Sequence, residues 1–214
     1  MALTIAQAVM NEVQAILLDP NGKYWTSTYL VNAYNIVVTA IIGENPNALT
    51  KVVDFTLAAG VDQRCPSDAT QFLRMPANVN GPNIRQVTAE SLSEDDDDWY
   101  SKPPSPIVRH VIPDALDPLL FRVDPPNDGT GQTKLHYAFA PPDATALSDT
   151  FGLTEAYRID VRNGVLGMAY ALNTDRQDLP KSQFYLGQLD KNVATKIRAQ
   201  DALAARVGTP QTTE

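Results

Sequence analysis

The chain has 214 residues, of which 43% are hydrophobic and 20% are charged, and its formal net charge is -8. These values are typical of a folded globular protein and exclude both wholesale disorder and a fibrous repeat. The length suits one domain, or one domain with an inserted subdomain. Cys65 is the only cysteine, so an internal disulfide is excluded, and two histidines, His110 and His136, are too few for a cysteine or histidine zinc cage.

The N-terminal segment gives no indication of export or membrane insertion. No Lys or Arg precedes Lys23, and the longest apolar run, residues 36–42, is far shorter than the ~20 residues that span a bilayer. We therefore expect a soluble protein made in the cytoplasm.

The negative charge is concentrated in one stretch of the chain. Residues 90–128 contain ten Asp or Glu and three Lys or Arg, a local balance of -7. A surface of this sign repels phosphate, so capture of duplex DNA by electrostatic attraction is disfavoured. If DNA is involved, we expect it to slide past such a protein without specific binding.

The first 48 residues have the pattern of a helical hairpin. Thr4 and Gln7 have capping-box spacing, and apolar residues at helical spacing predict a first helix that ends by Leu18. Residues 19–22, Asp-Pro-Asn-Gly, form a turn sequence. A broad apolar face predicts a second helix from about residue 27 to 42.

The period changes at Leu49, where apolar and polar residues begin to alternate. Short strand candidates follow, at residues 53–57, 61–65, 71–75, 84–89, 107–112, 119–123 and 134–140. Twelve prolines lie between or beside them, which favours short or edge strands over long central ones. We interpret residues 49–148 as a small, Pro-rich β subdomain inserted between helices.

Helical spacing returns in residues 149–205 and predicts a pair of helices, the last from about Lys181 to Ala205. Gly164 and Gly167 in the first of the pair allow a neighbouring helix to approach closely. The sequence thus predicts an α+β fold, with an antiparallel, up-down bundle of about four helices from the N- and C-terminal segments around the inserted β subdomain. Residues 206–214 are predicted to be a flexible C-terminal arm.

The chain contains no GxSxG, Walker, GxGxxG or HExxH motif, and we interpret both histidines as ordinary strand or surface residues.

The run Glu94-Asp95-Asp96-Asp97-Asp98 has three possible roles: a solvated acidic loop, a charged lumen or interface surface, or a site for a hard cation. Trp25 and Trp99 are interpreted as partly buried anchors, and Trp99 has an interface role as its alternative.

Motifs along nearly the whole chain together resemble the head-to-tail adaptor, or connector, proteins of tailed bacteriophages, especially the short-tailed ones. The motifs that carry the resemblance are Asp19-Pro20 with Lys23-Tyr24-Trp25, Asn32-Ala33, residues 60–69 (GVDQRCPSDA), Trp99-Tyr100, residues 118–126 (PLLFRVDPP), Tyr137, Pro141, and two long C-terminal helices with a polar tail.

The resemblance implies a structural virion protein of the phage neck. It implies a ring of twelve copies docked beneath the portal protein, which extends the channel for DNA ejection and offers an attachment surface for a tail tube, nozzle or other neck proteins. It implies no enzymatic activity and no cofactor. Rings require two different complementary faces on each subunit, and the helices would supply them.

Two sets of residues follow as interface hypotheses. The portal or neighbour interface is assigned to the basic end of the last helix and the arm, at Lys191, Lys196, Arg198, Arg206, Val207 and Pro210. A tail-side or lumen-facing acidic loop is assigned to Asp95, Asp96, Asp97, Asp98 and Trp99.

Two rival functions stay open at this point. One is a metal-dependent hydrolase or nuclease that uses residues 95–98, because paired carboxylates can place two cations on a phosphodiester. The other is a small, acidic binding module that acts as a monomer.

Overall fold

A computed structural model of the chain describes residues 5–146, 149, 152–172 and 175–208. Within these residues the fold is α+β, with five α-helices and two β-sheets. The chain divides into two compact units, a helical unit of residues 1–48 and 141–214 and a β unit of Leu49–Ala140. The predicted capping residue Thr4 lies outside the described residues.

The helices are α1 (Ile5–Leu17), α2 (Ser27–Glu44), α3 (Ala89–Asp95), α4 (Arg158–Ala171) and α5 (Leu179–Gly208). The predicted end of the first helix and the predicted second helix are confirmed. Helix α5 extends three residues past its predicted end at Ala205, since Arg206 and Val207 continue the helix and Gly208 closes it. Among the helices of the described chain, none has the length and hydropathy needed to cross a bilayer.

The predicted turn after α1 is formed around the side chain of Asp19. Its carboxylate accepts hydrogen bonds from the backbone N–H groups of Lys23, Tyr24 and Trp25 at 2.8, 2.8 and 2.9 Å. Burial raises the pKa of Asp19, but these three hydrogen bonds and the charge of Arg176 outweigh it and leave the pKa below its ordinary value. The ionised carboxylate therefore fixes the angle at which the chain enters α2.

Helix α4 is the centre of the helical unit, since α1, α2 and α5 all pack against it. Its buried residues include Val161, Val165, Leu166 and Ala169. The carbonyls of its last turn find donors on the neighbouring hairpin: Trp25 Nε1 donates to Ala169 O at 3.0 Å, and Tyr29 OH donates to Met168 O at 2.8 Å. Trp25 is thus the buried anchor that the sequence predicts.

The two glycines of α4 are the points of closest helix approach. A Cβ atom at Gly167 would lie 2.7 Å from Leu186 Cδ2 of α5, and one at Gly164 would lie 2.5 Å from Val37 Cγ1 of α2 and 3.2 Å from Leu189 Cδ2 of α5. Any larger residue would hold the helices apart, as predicted from the spacing.

The strands are β1 (Thr50–Thr56), β2 (Ala59–Arg64), β3 (Ala69–Asn78), β4 (Arg85–Gln86), β5 (His110–Pro113), β6 (Leu120–Asp128) and β7 (Gln132–Phe139). They form a three-stranded sheet in the order β1-β7-β3 and a four-stranded sheet in the order β2-β6-β5-β4. All pairs are antiparallel except β4 with β5. The main core of the β unit contains Phe72, Met75, Val111, Phe121 and Leu135.

The expectation that prolines confine strands to edges is wrong for β6, which lies between β2 and β5 and contains Pro125 and Pro126. The register with β2 jumps from Asp62–Arg122 to Gly60–Asn127, so the prolines fall in the bulge and need no N–H donor. On the other side, Pro126 O accepts a hydrogen bond from Ser105 N at 2.9 Å. The Asp124–Pro125 peptide bond is cis.

The predicted strand at residues 84–89 is mostly wrong. Only Arg85 and Gln86 pair with β5, and the chain then enters the short helix α3. Thr88 caps α3 by accepting a hydrogen bond from Ser91 N at 3.2 Å. A local capping signal therefore takes priority over strand propensity here.

Candidate interaction surfaces

The acidic run lies at the C-terminal end of α3 and in the turn that follows it. Asp95 is the last residue of α3, and Asp95, Asp97 and Asp98 are exposed. The carboxylate of Asp96 instead forms an ion pair with Lys102. The run is thus a charged surface in which only Asp96 is held by an ion pair with another described residue.

Lys102 connects Asp96 to a second, fully buried carboxylate on β6. Its Nζ lies 2.9 Å from Asp124 Oδ1, and His110 Nδ1 lies 2.8 Å from Asp124 Oδ2. Hydrogen bonds to Asp96 and then to Asp124 raise the pKa of Lys102 above its usual value. The network satisfies both oxygens of Asp124, so its evident role is to hold β5, β6 and the acidic turn together.

The described residues contain no group of three or more His, Cys, Asp or Glu arranged to hold a metal ion. His136 accepts a hydrogen bond from Arg74 Nε at 3.3 Å, and its pKa is lowered by burial and by the Arg74 charge. Burial raises the pKa of the Cys65 thiol to about 11, so the thiol stays protonated and unreactive at neutral pH.

Trp99 is buried, as expected of the anchor that the sequence predicts. Its side chain is 5% exposed, packs in a small cluster with Val61, Leu92 and Ile112, and donates a hydrogen bond from Nε1 to Ser93 Oγ at 3.2 Å. The neighbouring Tyr100 is half exposed and is the aromatic residue of this region that faces solvent. Trp99 therefore anchors the acidic turn to the β unit.

The basic residues predicted on the last helix have different environments. Lys191 and Arg198 are exposed on α5, and neither forms an ion pair with another described residue. Lys196 forms an ion pair with the buried Asp160 and lies 5.0 Å from the Tyr157 ring centroid, so its charge is used within the helical unit. Arg206 and Val207 belong to the helical backbone of α5, and Pro210 lies outside the described residues.

A row of aromatic rings links the N-terminal turn to the surface of α5. Trp25 meets Tyr170 edge-on at 6.5 Å between centroids, Tyr170 stacks on Tyr185 at 5.9 Å, and Tyr185 meets Phe184 edge-on at 5.4 Å. Phe184 ends the row and is 60% exposed. No sequence pattern singles out Phe184, because an aromatic residue within an apolar helical pattern is usually part of a core.

Strand β1 is a free sheet edge within the described residues. The backbone hydrogen bonds Phe139 N to Leu49 O and Leu57 N to Gly131 O place odd-numbered residues at the hydrogen-bonded positions of the β1–β7 pair. The backbone groups of Thr50, Val52, Asp54 and Thr56 therefore point away from the sheet.

The other sheet edges are protected. The outer side of β3 is bonded by the returning chain, through Asn78 N to Pro82 O and Ile84 N to Pro76 O. At the start of β2, the side chain of Gln63 bonds both backbone groups of Ala58, and β4 has only two residues. By contrast, β1 has seven residues with regular register and no proline or glycine, and proteins usually protect edges of this kind.

Comparisons with known proteins agree with the resemblance noted in the sequence. No curated protein matches the chain. The family model described as SU10 adaptor protein matches residues 3–213, which include both compact units. This family consists of structural bacteriophage proteins and is not an enzyme family. Because the match covers nearly all of the chain, the chain belongs to the SU10 adaptor protein family of bacteriophages.

Proposed function

We propose that the chain is a head-to-tail adaptor that assembles as a ring, expected to contain twelve copies, beneath the portal protein. The ring extends the DNA channel and offers its outer and lower surfaces to tail proteins. The observation that carries the proposal is the family match across residues 3–213. In this proposal the helical unit forms the ring wall, and the β unit faces outward or towards tail components.

The helical unit, which we propose to be a four-helix bundle of α1, α2, α4 and α5, has the surface that a ring wall needs. Each helix keeps at least one large apolar side chain exposed: Ile16 on α1, Ile36 on α2, Ile159 on α4, and Phe184 and Leu203 on α5. In the proposed ring, these side chains are available for contacts with neighbouring copies.

The portal-facing end is assigned to the basic residues of α5 and to the arm beyond it. Lys191 and Arg198 are exposed cations on the outer face of the helix, and Arg206, Val207 and Pro210 continue towards the C-terminus. Lys196 contributes indirectly, because its ion pair with Asp160 fixes α5 on α4. A short arm that becomes ordered on binding would make attachment depend on a completed portal.

The β unit supplies a lumen-facing or tail-facing acidic surface and a strand edge. The exposed carboxylates of Asp95, Asp97 and Asp98 repel DNA phosphates, so DNA would pass without being held. The free edge of β1 suits a tail protein that adds an extended segment to the sheet. The hydrolase alternative is disfavoured, because Asp96 is paired with Lys102 and no three His, Cys, Asp or Glu among the described residues are arranged to hold a metal ion.

Co-sedimentation with portal rings of the phage that encodes the chain tests this proposal. The full-length chain is expected to sediment with the rings, and a chain that ends at Gly208 is expected to fold equally well and bind at least tenfold more weakly. A variant with all four aspartates of residues 95–98 changed to asparagine should bind portal like the wild type. A full-length chain that stays in the supernatant contradicts the proposal.

A further inference from the structure

An exposed phenylalanine side chain and a cavity large enough for a phenyl group lie on different helices of the helical unit. We infer that Phe184 on α5 of one copy inserts into a cavity between α2 and the segment 141–144 of the next copy. The inference rests on the proposed ring and goes beyond it by naming the two faces that meet.

Phe184 has the properties of an interface anchor. Its side chain is 60% exposed, yet the edge-on contact with Tyr185 and the stack of Tyr185 on Tyr170 hold the ring in place. A ring that is already fixed loses little conformational freedom on binding, and aromatic residues dominate the energetic centres of protein interfaces. A Cβ atom at Gly187, one turn further along, would meet nothing within 4 Å, so α5 leaves room there for a partner helix.

The cavity has the size of one aromatic ring. Its volume is about 180 Å³, and a cavity of about 150 Å³ lined by apolar side chains is large enough to bind benzene. It is lined by Tyr34, Asn35, Val38 and Thr39 of α2, by residues 141–144 and by Gly152. The walls are mostly apolar, as a phenyl group requires.

The cavity is held open before any partner arrives. Asn35 bonds both backbone groups of Ala144, donating from Nδ2 to the carbonyl at 3.0 Å and accepting from the N–H at 2.9 Å. Tyr34 OH accepts a hydrogen bond from Gly152 N at 2.8 Å. A Cβ atom at Gly152 would lie 2.7 Å from Pro141 Cγ, so the close packing of this wall requires glycine.

The charge near Phe184 and the charge at the cavity are complementary. Asp143 is the only charged residue of the cavity wall and is exposed, with no ion-pair partner among the described residues. Lys191 lies seven residues after Phe184, which places it two turns along the same face of α5, about 10 Å away. Insertion of Phe184 would bring a cation to the side of the partner that carries the carboxylate.

A second copy of the chain is the occupant that these features select. Phe184 lies on α5 and the cavity lies beside α2, so the contact joins two different parts of the subunit, and contacts that repeat in one direction close into a ring of subunits when the rotation permits. A two-fold dimer would instead place both parts of each copy in a single interface, and cross-linking of the double variant described below would then stop at dimers.

Cysteine cross-linking in assembled rings tests the inference. Phe184→Cys and Thr39→Cys place one thiol on each face, while Cys65 is buried and, with a pKa of about 11, does not compete. On portal rings treated with a short bismaleimide, the double variant is expected to give a ladder of dimers, trimers and higher bands. Each single variant should give monomers, and an equal mixture of the two single variants should give mainly dimers.

The results separate this inference from the proposed function. Rings that form on portal but give no ladder with the double variant overturn the Phe184 contact and leave the adaptor function standing. Self-cross-linking of either single variant overturns the heterologous arrangement. A chain that does not bind portal at all contradicts the proposed function, and the inference fails with it.

A variant without new cysteines gives an independent result. Phe184→Ala should melt like the wild type because the side chain is mostly exposed, and should need at least tenfold more protein to saturate portal rings. Phe184→Leu, which keeps an apolar side chain, should regain most of the loss. Equal saturation by wild type and Phe184→Ala overturns the inference.

Discussion

The backbone of Gly164 in α4 lies directly against the side chain of Val37 in α2, so close that a Cβ atom at position 164 would be 2.5 Å from Val37 Cγ1. The same point meets Leu189 of α5 at 3.2 Å. One glycine therefore sets how closely three helices pack, and the shape of the proposed ring wall depends on it.

Gly164→Ala is expected to lower the free energy of unfolding of the helical unit by about 1–3 kcal/mol, because the added methyl group forces α2 and α4 apart. Gly187→Ala is the matched control, since a Cβ atom there meets nothing within 4 Å. Replacing a helical glycine by alanine at such an open site should stabilise by about 0.5–1 kcal/mol. Urea unfolding of both variants measures the difference, and equal shifts would contradict the packing described.

Val165→Asp is expected to unfold or aggregate the chain, because Val165 is 0% exposed in the centre of the helical unit. An unpaired charge at such a site costs several kcal/mol, which is comparable with the stability of a domain. Ile159→Asp in the same helix should melt within a few degrees of the wild type, since Ile159 is half exposed. Circular dichroism melting decides the matter, and an unchanged melting temperature for Val165→Asp would place that residue on the surface.

Asp124→Asn is expected to destabilise the β unit by about 3 kcal/mol, because Lys102 and His110 lose the buried carboxylate that they share. Asp54→Asn removes an exposed carboxylate that is paired with Lys134 and should cost no more than about 1 kcal/mol. Chemical denaturation compares the two. If both substitutions had the same small effect, the buried network would have no role in holding β5 and β6.

Val52→Pro and Val53→Pro separate the two sides of strand β1. The N–H of Val53 belongs to the ladder with Leu135 of β7, so Val53→Pro should weaken the β unit, whereas the N–H of Val52 points to the free edge. Val52→Pro is therefore expected to leave the fold nearly unchanged and to impair attachment of tail proteins to portal–adaptor complexes. Normal tail attachment by a folded Val52→Pro variant would exclude strand addition at this edge.

Stability is expected to fall in acid partly because of Asp178, which caps α5. Its carboxylate accepts a hydrogen bond from Lys181 N at 3.0 Å, and the Lys181 side chain and this backbone bond hold the pKa of Asp178 below its ordinary 3.8. A lowered pKa gives stability that is present above pH 3.8 and is lost as the pH falls through the folded value.

Asp178→Asn keeps a capping oxygen but removes this titration. The melting temperature of the variant should therefore fall less than that of the wild type between about pH 4 and pH 2. Asp68 and Asp149 also have lowered pKa values. The melting temperature of the variant should therefore still depend on pH, but less strongly than that of the wild type. Identical pH dependence in the two proteins would show that the cap does not titrate in this range.

The elements that the sequence predicts correctly are those that local chemistry decides. The Asp19 turn follows from an aspartate, a proline and a glycine within four residues, and the face of α2 follows from apolar spacing over four turns. Gly164 and Gly167 were recognised as close-approach positions because no other residue lacks a Cβ atom.

The features that the sequence did not predict depend on contacts between distant residues. Pro125 and Pro126 lie in a central strand because the bulge in the register between Gly60 and Asp62 removes the need for their N–H groups. Lys196 is held by Asp160, 36 residues earlier, and the burial of Trp99 depends on Val61 and Ile112. Ion pairs and burial between distant residues cannot be predicted from a local sequence pattern. Charge or aromatic character alone therefore does not show which residues are free to form an interface.

Cryo-electron microscopy of the full-length chain bound to portal rings is the most direct test of the central claim. The adaptor account predicts a closed ring of adaptor subunits, expected to number twelve, on the tail-facing end of the portal, with the helical units in contact around an open channel. Portal rings that carry scattered single copies, or a ring whose subunits touch only through the β unit, would contradict it.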